Sequence, residues 1–175
     1  MFDDRLKITV VIVARNEDRN ILECLAALAA QSYPTRDLEV LVVDNGSLDA
    51  TRDIVRQFIA SRPHMRLIEQ PRPGIAPSRN LGLQRARHDY VAFLDADCTA
   101  EPGWLEALER AMRDSRHAKP PVAAVGGPSL APRDTTAFRT AVDVAVRNFW
   151  GHHGSVQGRL HERPVPVEHL PTLNV

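Results

Sequence analysis

An open, mostly parallel α/β sheet with helices on both faces is expected from this chain, and three observations lead to it. Apolar runs of strand length, rich in β-branched residues, recur along the sequence. Most of them end abruptly in polar or turn-forming residues. Segments with apolar residues at helical spacing lie between them, and such alternation favours parallel strands joined by helices.

Ile8–Ala14 (ITVVIVA) reads as the first strand, buried on both faces. Ile21, Leu25 and Leu28 then recur as on a helix, with Glu17 and Asp18 placed to favour its positive N-terminus. Leu38–Val43 is a second buried strand, ending at Asp44 and the turn residues Asn45-Gly46. Asn-Gly can signal a hairpin, but Ile54, Val55, Phe58 and Ile59 follow at helical spacing, so a strand-to-helix connection is expected. Met65–Glu69 is a short third strand, followed by the loop Pro71–Pro77, a helix over Arg79–Arg87 and a fourth strand, Tyr90–Leu94. Pro102 suits the first turn of the next helix, striped by Trp104, Leu105, Leu108 and Met112. Val122–Val125 reads as a fifth strand, and Phe138, Val142, Ala145 and Phe149 as a further helix. Residues 1–150 thus form one portion, and 151–175 a loop leading to a strand-like start at Leu170–Val175.

Composition narrows the function. The 175 residues suit a domain with a real core. Lys plus Arg (22) equals Asp plus Glu (22), which gives no case for a nucleic-acid partner. Cys24 and Cys98 make neither a metal-ligand spacing nor a disulfide framework, as fits a reducing compartment. MFDDRLK has no apolar core of a signal peptide, and no run of about 18 apolar residues offers a transmembrane span.

Three polar clusters fall where doubly wound sheets bind ligands, beyond the carboxyl ends of the strands. They are Arg15-Asn16-Glu17, Asp44-Asn45-Gly46 and Asp95-Ala96-Asp97. Each has a plainer reading: Asp44 can start a turn, Arg15 and Glu17 can cap or charge-complement a helix, and Asp95 and Asp97 can cap the following helix, although one Asp would suffice for that. If the first and fourth strands are neighbours, all three clusters line one crevice. On an extended chain Asp95 and Asp97 share a side, and their repulsion calls for something positive between them. Mg²⁺ or Mn²⁺ answers, since a hard cation takes one or two carboxylates together with phosphate oxygens and water. Arg79 and Arg72 can add forked donors to the same phosphates, and Asp44 suits a ribose or base. The residues together point to a nucleotide diphosphate.

The stretches VVIVARNE (Val10–Glu17), VVDNGSLDAT (Val42–Thr51), RPGIAPSRNLGL (Arg72–Leu83), VAFLDADC (Val91–Cys98) and VAAVGGP (Val122–Pro128) resemble glycosyltransferase family 2, with the GT-A fold. They occur in family order over about the first three quarters of the chain. The resemblance implies inverting transfer of a sugar from a nucleotide-diphosphate sugar to an unidentified acceptor, a glycan or a lipid-linked species. It assigns Ala14, Arg15, Glu17 and Asp44 to the nucleoside and Arg79 to the nucleotide side of the pocket. Asp95 and Asp97 become the metal-binding DXD motif, Asp97 the principal ligand and Asp95 nearer the ribose. Ala14 and Arg15 stand where relatives often have a proline and an aromatic residue, and Pro77 replaces a small one. The family's catalytic base lies beyond a segment that Leu170–Asn174 resembles, so base and acceptor half are expected past Val175. Apolar sheet surface left uncovered would favour self-association. Many relatives build cell-surface polysaccharides at the cytoplasmic face of a membrane, which sets the expected location.

Other readings fit less well. Asp95-x-Asp97-x-Thr99 also suits a haloacid-dehalogenase-type phosphatase, but Lys119 is the sole lysine after Lys7 and no further acidic pair follows. ARNEDRN after the first strand is not the glycine fingerprint of a dinucleotide enzyme, nor the glycine-rich loop of a sugar nucleotidylyltransferase. His152, His153, His161 and His169 match no closed zinc site. A catalytically incomplete nucleotide-binding fragment is the non-enzymatic alternative, with Glu162 and Glu168 the remaining carboxylates of the last stretch.

Overall fold

A computed structural model describes residues 5–71, 73–119 and 121–127. The chain divides into two compact units, Met1–Glu109 and Arg110–Val175. The first holds four parallel strands, β1 (Ile8–Ala14), β2 (Leu38–Asp44), β3 (Met65–Glu69) and β4 (Tyr90–Asp95), in the order β3-β2-β1-β4. Between them run α1 (Ile21–Ala29), α2 (Thr51–Ile59) and α3 (Ile75–Arg85), and α4 (Trp104–Asp114) follows β4. The described part of the second unit has a 3-10 turn at Ser115–His117 and an irregular stretch to Gly127.

The central strands form because their residues can be buried on both faces. Val10, Val11, Ile12, Val40, Leu41, Val42 and Val43 are all 0% exposed, and covered parallel sheets favour such runs. From β1 the chain steps outward through β2 to β3, then returns past β1 to β4. Right-handed crossovers therefore place α1 and α2 on one face and α3 on the other. The α3 helix approaches so closely that a Cβ on Gly82 would overlap Val11 Cγ1. Val11, Leu41 and Val43 pack on that face with Val13, Leu81, Val91 and Phe93. Register then sorts the site: Asp95 pairs with Val13 and shares the α3 face, whereas Asp44 pairs with Ala14 and points to the opposite face.

At the other end of the strands, Glu39 joins four segments. It is 2% exposed and accepts from Thr9 Oγ1 of β1 (2.8 Å), Arg66 Nε of β3 (2.8 Å) and the Arg87 backbone N–H before β4 (2.8 Å). Arg66 Nη2 lies 2.7 Å and Arg87 Nε 3.4 Å from the same carboxylate.

Several expectations need correction. The helix expected at Arg79–Arg87 starts earlier, at Ile75, because Pro77 falls in its first turn, where a missing N–H costs no intrahelical bond. Pro102 precedes α4 instead of opening it: Trp104 N–H bonds to Glu101 O (3.0 Å) across a turn in which Gly103 has φ 81°. Val122–Val125 forms no strand; residues 121–127 are irregular. The helix expected around Phe138–Phe149, the stretch 151–175 with its histidines, Glu162 and Glu168, and Arg72 lie outside the described residues. Among the described residues no helix is long and apolar enough to cross a membrane.

Candidate functional site

The sheet reverses direction of growth at β1, so a crevice opens beyond the carboxyl ends of β1 and β4. All three polar clusters end there, because Ala14 pairs with Asp44 and Val13 with Asp95. The neighbouring of the first and fourth strands, on which their convergence depended, is present.

The loop after β1 turns on Asn16, which has φ 57°, a left-handed conformation that asparagine tolerates better than most residues. Its N–H donates to Ser47 Oγ (3.1 Å), and its Oδ1 accepts from Leu48 N–H (2.8 Å). Glu17 N–H donates to Thr51 Oγ1 (2.8 Å) and Asp18 N–H to Asp49 Oδ2 (3.1 Å). Asn45 N–H reaches back to Ala14 O (2.8 Å). Two loops are thus stitched into one wall. Ala14 is buried at its base and Arg15 is exposed beside it. Glu17 Oε2 accepts from Asn20 Nδ2 (2.8 Å), so its carboxylate also serves the start of α1.

Asp44 is 2% exposed. Its Oδ2 accepts from the N–H groups of Gly46 (3.2 Å) and Ser47 (3.2 Å), and Arg52 Nε lies 3.7 Å away. The turn that holds it needs Gly46, which has φ 77° and sits against Pro73. Asn45 Oδ1 accepts from Gly74 N–H (2.5 Å), which ties the loop after β3 to the same wall.

The opposite side of the crevice carries the acidic pair. Asp95 ends β4, and Asp97 does not continue the strand: Cys98 N–H bonds to Asp95 O (3.0 Å), so Ala96 and Asp97 form a turn. The two carboxylates are brought together by that turn and not by strand alternation. Asp97 is exposed, while Asp95 is partly buried and lies 3.4 Å from Arg79 Nη2 of α3. Arg79 also stands 5.9 Å over the Phe93 ring. Burial is the largest influence on Asp95 and pushes its carboxyl up; Arg79 pulls it down, and Asp97 and Glu17 push it up again, leaving it above the ordinary aspartate value. Burial likewise pushes the Cys98 thiol up to about 12, helped by Asp97 and Asp95. Cys24 also reaches about 12 through burial, then the effects of Cys98, Asp97, Asp95 and Glu17. Both cysteines are free, and both remain thiols at neutral pH.

The donor set suits a hard divalent cation bound jointly with a ligand. Asp95 and Asp97 offer carboxylate oxygens, and among the described residues no group of three or more His, Cys, Asp or Glu could hold a metal ion alone. An ion here would complete its shell with phosphate oxygens and water.

Sequence reasoning passed over Ser47, Asp49, Thr51 and Arg52, which together with Asn16 build the wall that displays Asp44. Their signal was present in the run Asn45–Arg52: short hydroxyl and carboxylate side chains after Asn-Gly readily bond neighbouring backbone.

Comparison with known proteins agrees with this architecture. The model of the family Glycosyl transferase family 2 matches residues 9–156. Glycosyltransferase AglE of Haloferax volcanii is 43% identical over 100 residues, covering 57% of this chain and 33% of AglE. Glycosyltransferase GlyA of Streptococcus pneumoniae is 33% identical over 102 residues, 58% of this chain and 14% of GlyA. The mannosyltransferase PcManGT from Pyrobaculum calidifontis, solved with GDP-Man and Mn²⁺, superposes with a TM-score of 0.62 at 29% identity, over 74% of this chain and 37% of that one. Residues 1–349 of S. aureus TarS, solved with UDP-GlcNAc, give a TM-score of 0.58 at 27% identity, over 63% and 32% of the two chains. This chain therefore spans about a third or less of these two relatives. Its four-stranded parallel sheet is the Rossmann-like sheet of the GT-A fold, and the chain belongs to glycosyl transferase family 2.

Proposed function

We propose that the chain is the nucleotide-sugar-binding portion of a glycosyltransferase that moves a sugar, with inversion, from a nucleotide-diphosphate sugar to an acceptor. Residues 1–150 form that portion in this reading, and 151–175 open the acceptor side; the family match over residues 9–156 is consistent with it. The observation that carries the reading is the convergence of Asp44 on one side, and Asp95 with Asp97 on the other, at the point where the sheet reverses. Ala14, Arg15, Glu17 and Asp44 take the nucleoside, and Arg79 the nucleotide side of the pocket. Asp95 and Asp97 hold Mg²⁺ or Mn²⁺, which when bound supplies positive charge against a departing diphosphate. The related structures were solved with UDP-GlcNAc and with GDP-Man and Mn²⁺, ligands that share a nucleoside diphosphate.

The chain's own residues explain how such a donor would be held. The laced loops fix Asp44 before any ligand arrives, so little ordering entropy is lost on binding. Arg79, steadied by Phe93 and Asp95, presents a fork beside the acidic pair. No described residue is assigned as the base that takes the acceptor's proton. Asp44→Ala is expected to lower nucleoside-diphosphate affinity about five- to 150-fold, the worth of a hydrogen bond at a buried group. Its metal preference should not change. Calorimetric titration of a folded Asp44→Ala variant that matches the wild type would reduce Asp44 to a turn residue.

A further inference from the structure

We propose that Arg52 is a positioning residue for nucleoside binding, fixing the Asp44 carboxylate from behind; this rests on the reading of Asp44 given above. Arg52 follows directly on Thr51 in the first turn of α2. An arginine there opposes the helix dipole, which favours negative groups at the N-terminus. A residue that breaks a local rule calls for a compensating gain elsewhere. Its contacts supply one. Nη2 donates to Ser47 O (3.0 Å), Nε lies 3.7 Å from Asp44 Oδ2, and Nη1 lies 3.5 Å from Glu69 Oε2.

One planar guanidinium therefore spans the end of β2, the loop that follows it and the end of β3. Glu69 does not need Arg52 for this, because Arg56 Nη2 already pairs with it at 2.8 Å. Asp44 has more to gain. Gly46 N–H and Ser47 N–H bond to Oδ2, with Arg52 Nε 3.7 Å from the same oxygen, while among the described residues Oδ1 receives only its share of the Ser47 N–H, at 3.3 Å. That asymmetry fixes the rotation of the carboxylate and leaves Oδ1 the oxygen with acceptor capacity to spare. A lysine would keep the charge but could not reproduce the fork.

The experiment measures the affinities of UDP, GDP and inorganic pyrophosphate with Mn²⁺ for the wild type, Arg52→Gln, Arg52→Lys, Asp44→Ala and the Asp44→Ala/Arg52→Gln double variant. Melting temperatures confirm folding. Arg52→Gln should weaken the nucleotide that binds by about tenfold, as loss of a supporting partner does at other sites, and Arg52→Lys should fall between. Pyrophosphate affinity should not move, because the effect belongs to the nucleoside end. In the Asp44→Ala background the Arg52 substitution should add nothing. If Arg52→Gln is too unstable to assay, Arg52→Lys carries the same comparison, with Asp44→Ala/Arg52→Lys as its double variant. Wild-type nucleotide affinity in Arg52→Gln beside a weakened Asp44→Ala overturns this proposal alone. So does an equal loss with and without Asp44, or an equal loss for pyrophosphate. Wild-type affinity in Asp44→Ala overturns the reading of Asp44 itself, and this proposal with it.

Discussion

Asp97→Asn is expected to weaken Mn²⁺-dependent binding of a nucleoside diphosphate by about ten- to hundredfold or more while the protein stays folded. Even the outer partners of metal ligands cost about 10–100-fold in metal affinity when removed, and a ligand should cost no less. The substitution keeps shape and removes one negative charge. Asp97 is exposed in a turn, so its loss should scarcely disturb packing. The same loss of charge relieves Asp95, whose carboxyl is pushed up by burial and by Asp97. Binding without Mn²⁺ should therefore hold steady or improve slightly, and the variant should lose its metal response specifically. Calorimetry with and without Mn²⁺ gives both numbers from one protein. An undiminished metal response in Asp97→Asn would remove Asp97 from the proposed ligand set.

Glu39→Ala should destabilise the fold by about 1–3 kcal/mol, the cost of leaving buried polar groups without their partner. For a chain of this size, that lowers the melting temperature by roughly 2–12 °C. Arg66, Arg87 and Thr9 all lose the same acceptor, but the two arginines are partly exposed and water can replace it there. Burial pushes the Glu39 carboxyl up. The Arg87 N–H, the Thr9 hydroxyl and the Arg66 guanidinium outweigh it and hold the group below the ordinary glutamate value. The unfolded chain therefore takes up this proton at higher pH than the native state does. Glu39's stabilisation is complete above the unfolded value of about 4.3 and fades as pH falls through the lower folded value. Glu39→Gln should accordingly flatten the acid side of the melting-temperature profile below about pH 4.3 and show its full deficit near neutrality. An acid slope identical to the wild type would contradict the assignment.

How much of this could be read in advance depended on where the determining physics sits. β1 and β3 match their expected ranges, and β2 and β4 each run one residue further; in β1 an unbroken β-branched run leaves little alternative to a buried strand. Asp44 and Asp95 were visible because a carboxylate that ends an apolar run is conspicuous. The turn at Asp95–Cys98 was not, since one hydrogen bond between backbone groups decides it. Nor was the early start of α3, where Pro77 read as the end of a loop until its place in the first turn was known. The run Val122–Val125 had the composition of a strand and is irregular, which shows the limit of composition alone. Arg52 escaped notice, and the lacing role of Asn16 with it, for a different reason. Their partners lie in separate segments, and only the folded loops show that one side chain orders another.

The most direct test of the central claim is a titration of the folded chain with a panel of nucleoside diphosphates, UDP and GDP among them, in Mn²⁺ and again in excess EDTA. Binding of at least one of them, made tighter by Mn²⁺, is the predicted result. A folded chain that binds none of them in either condition would contradict the account.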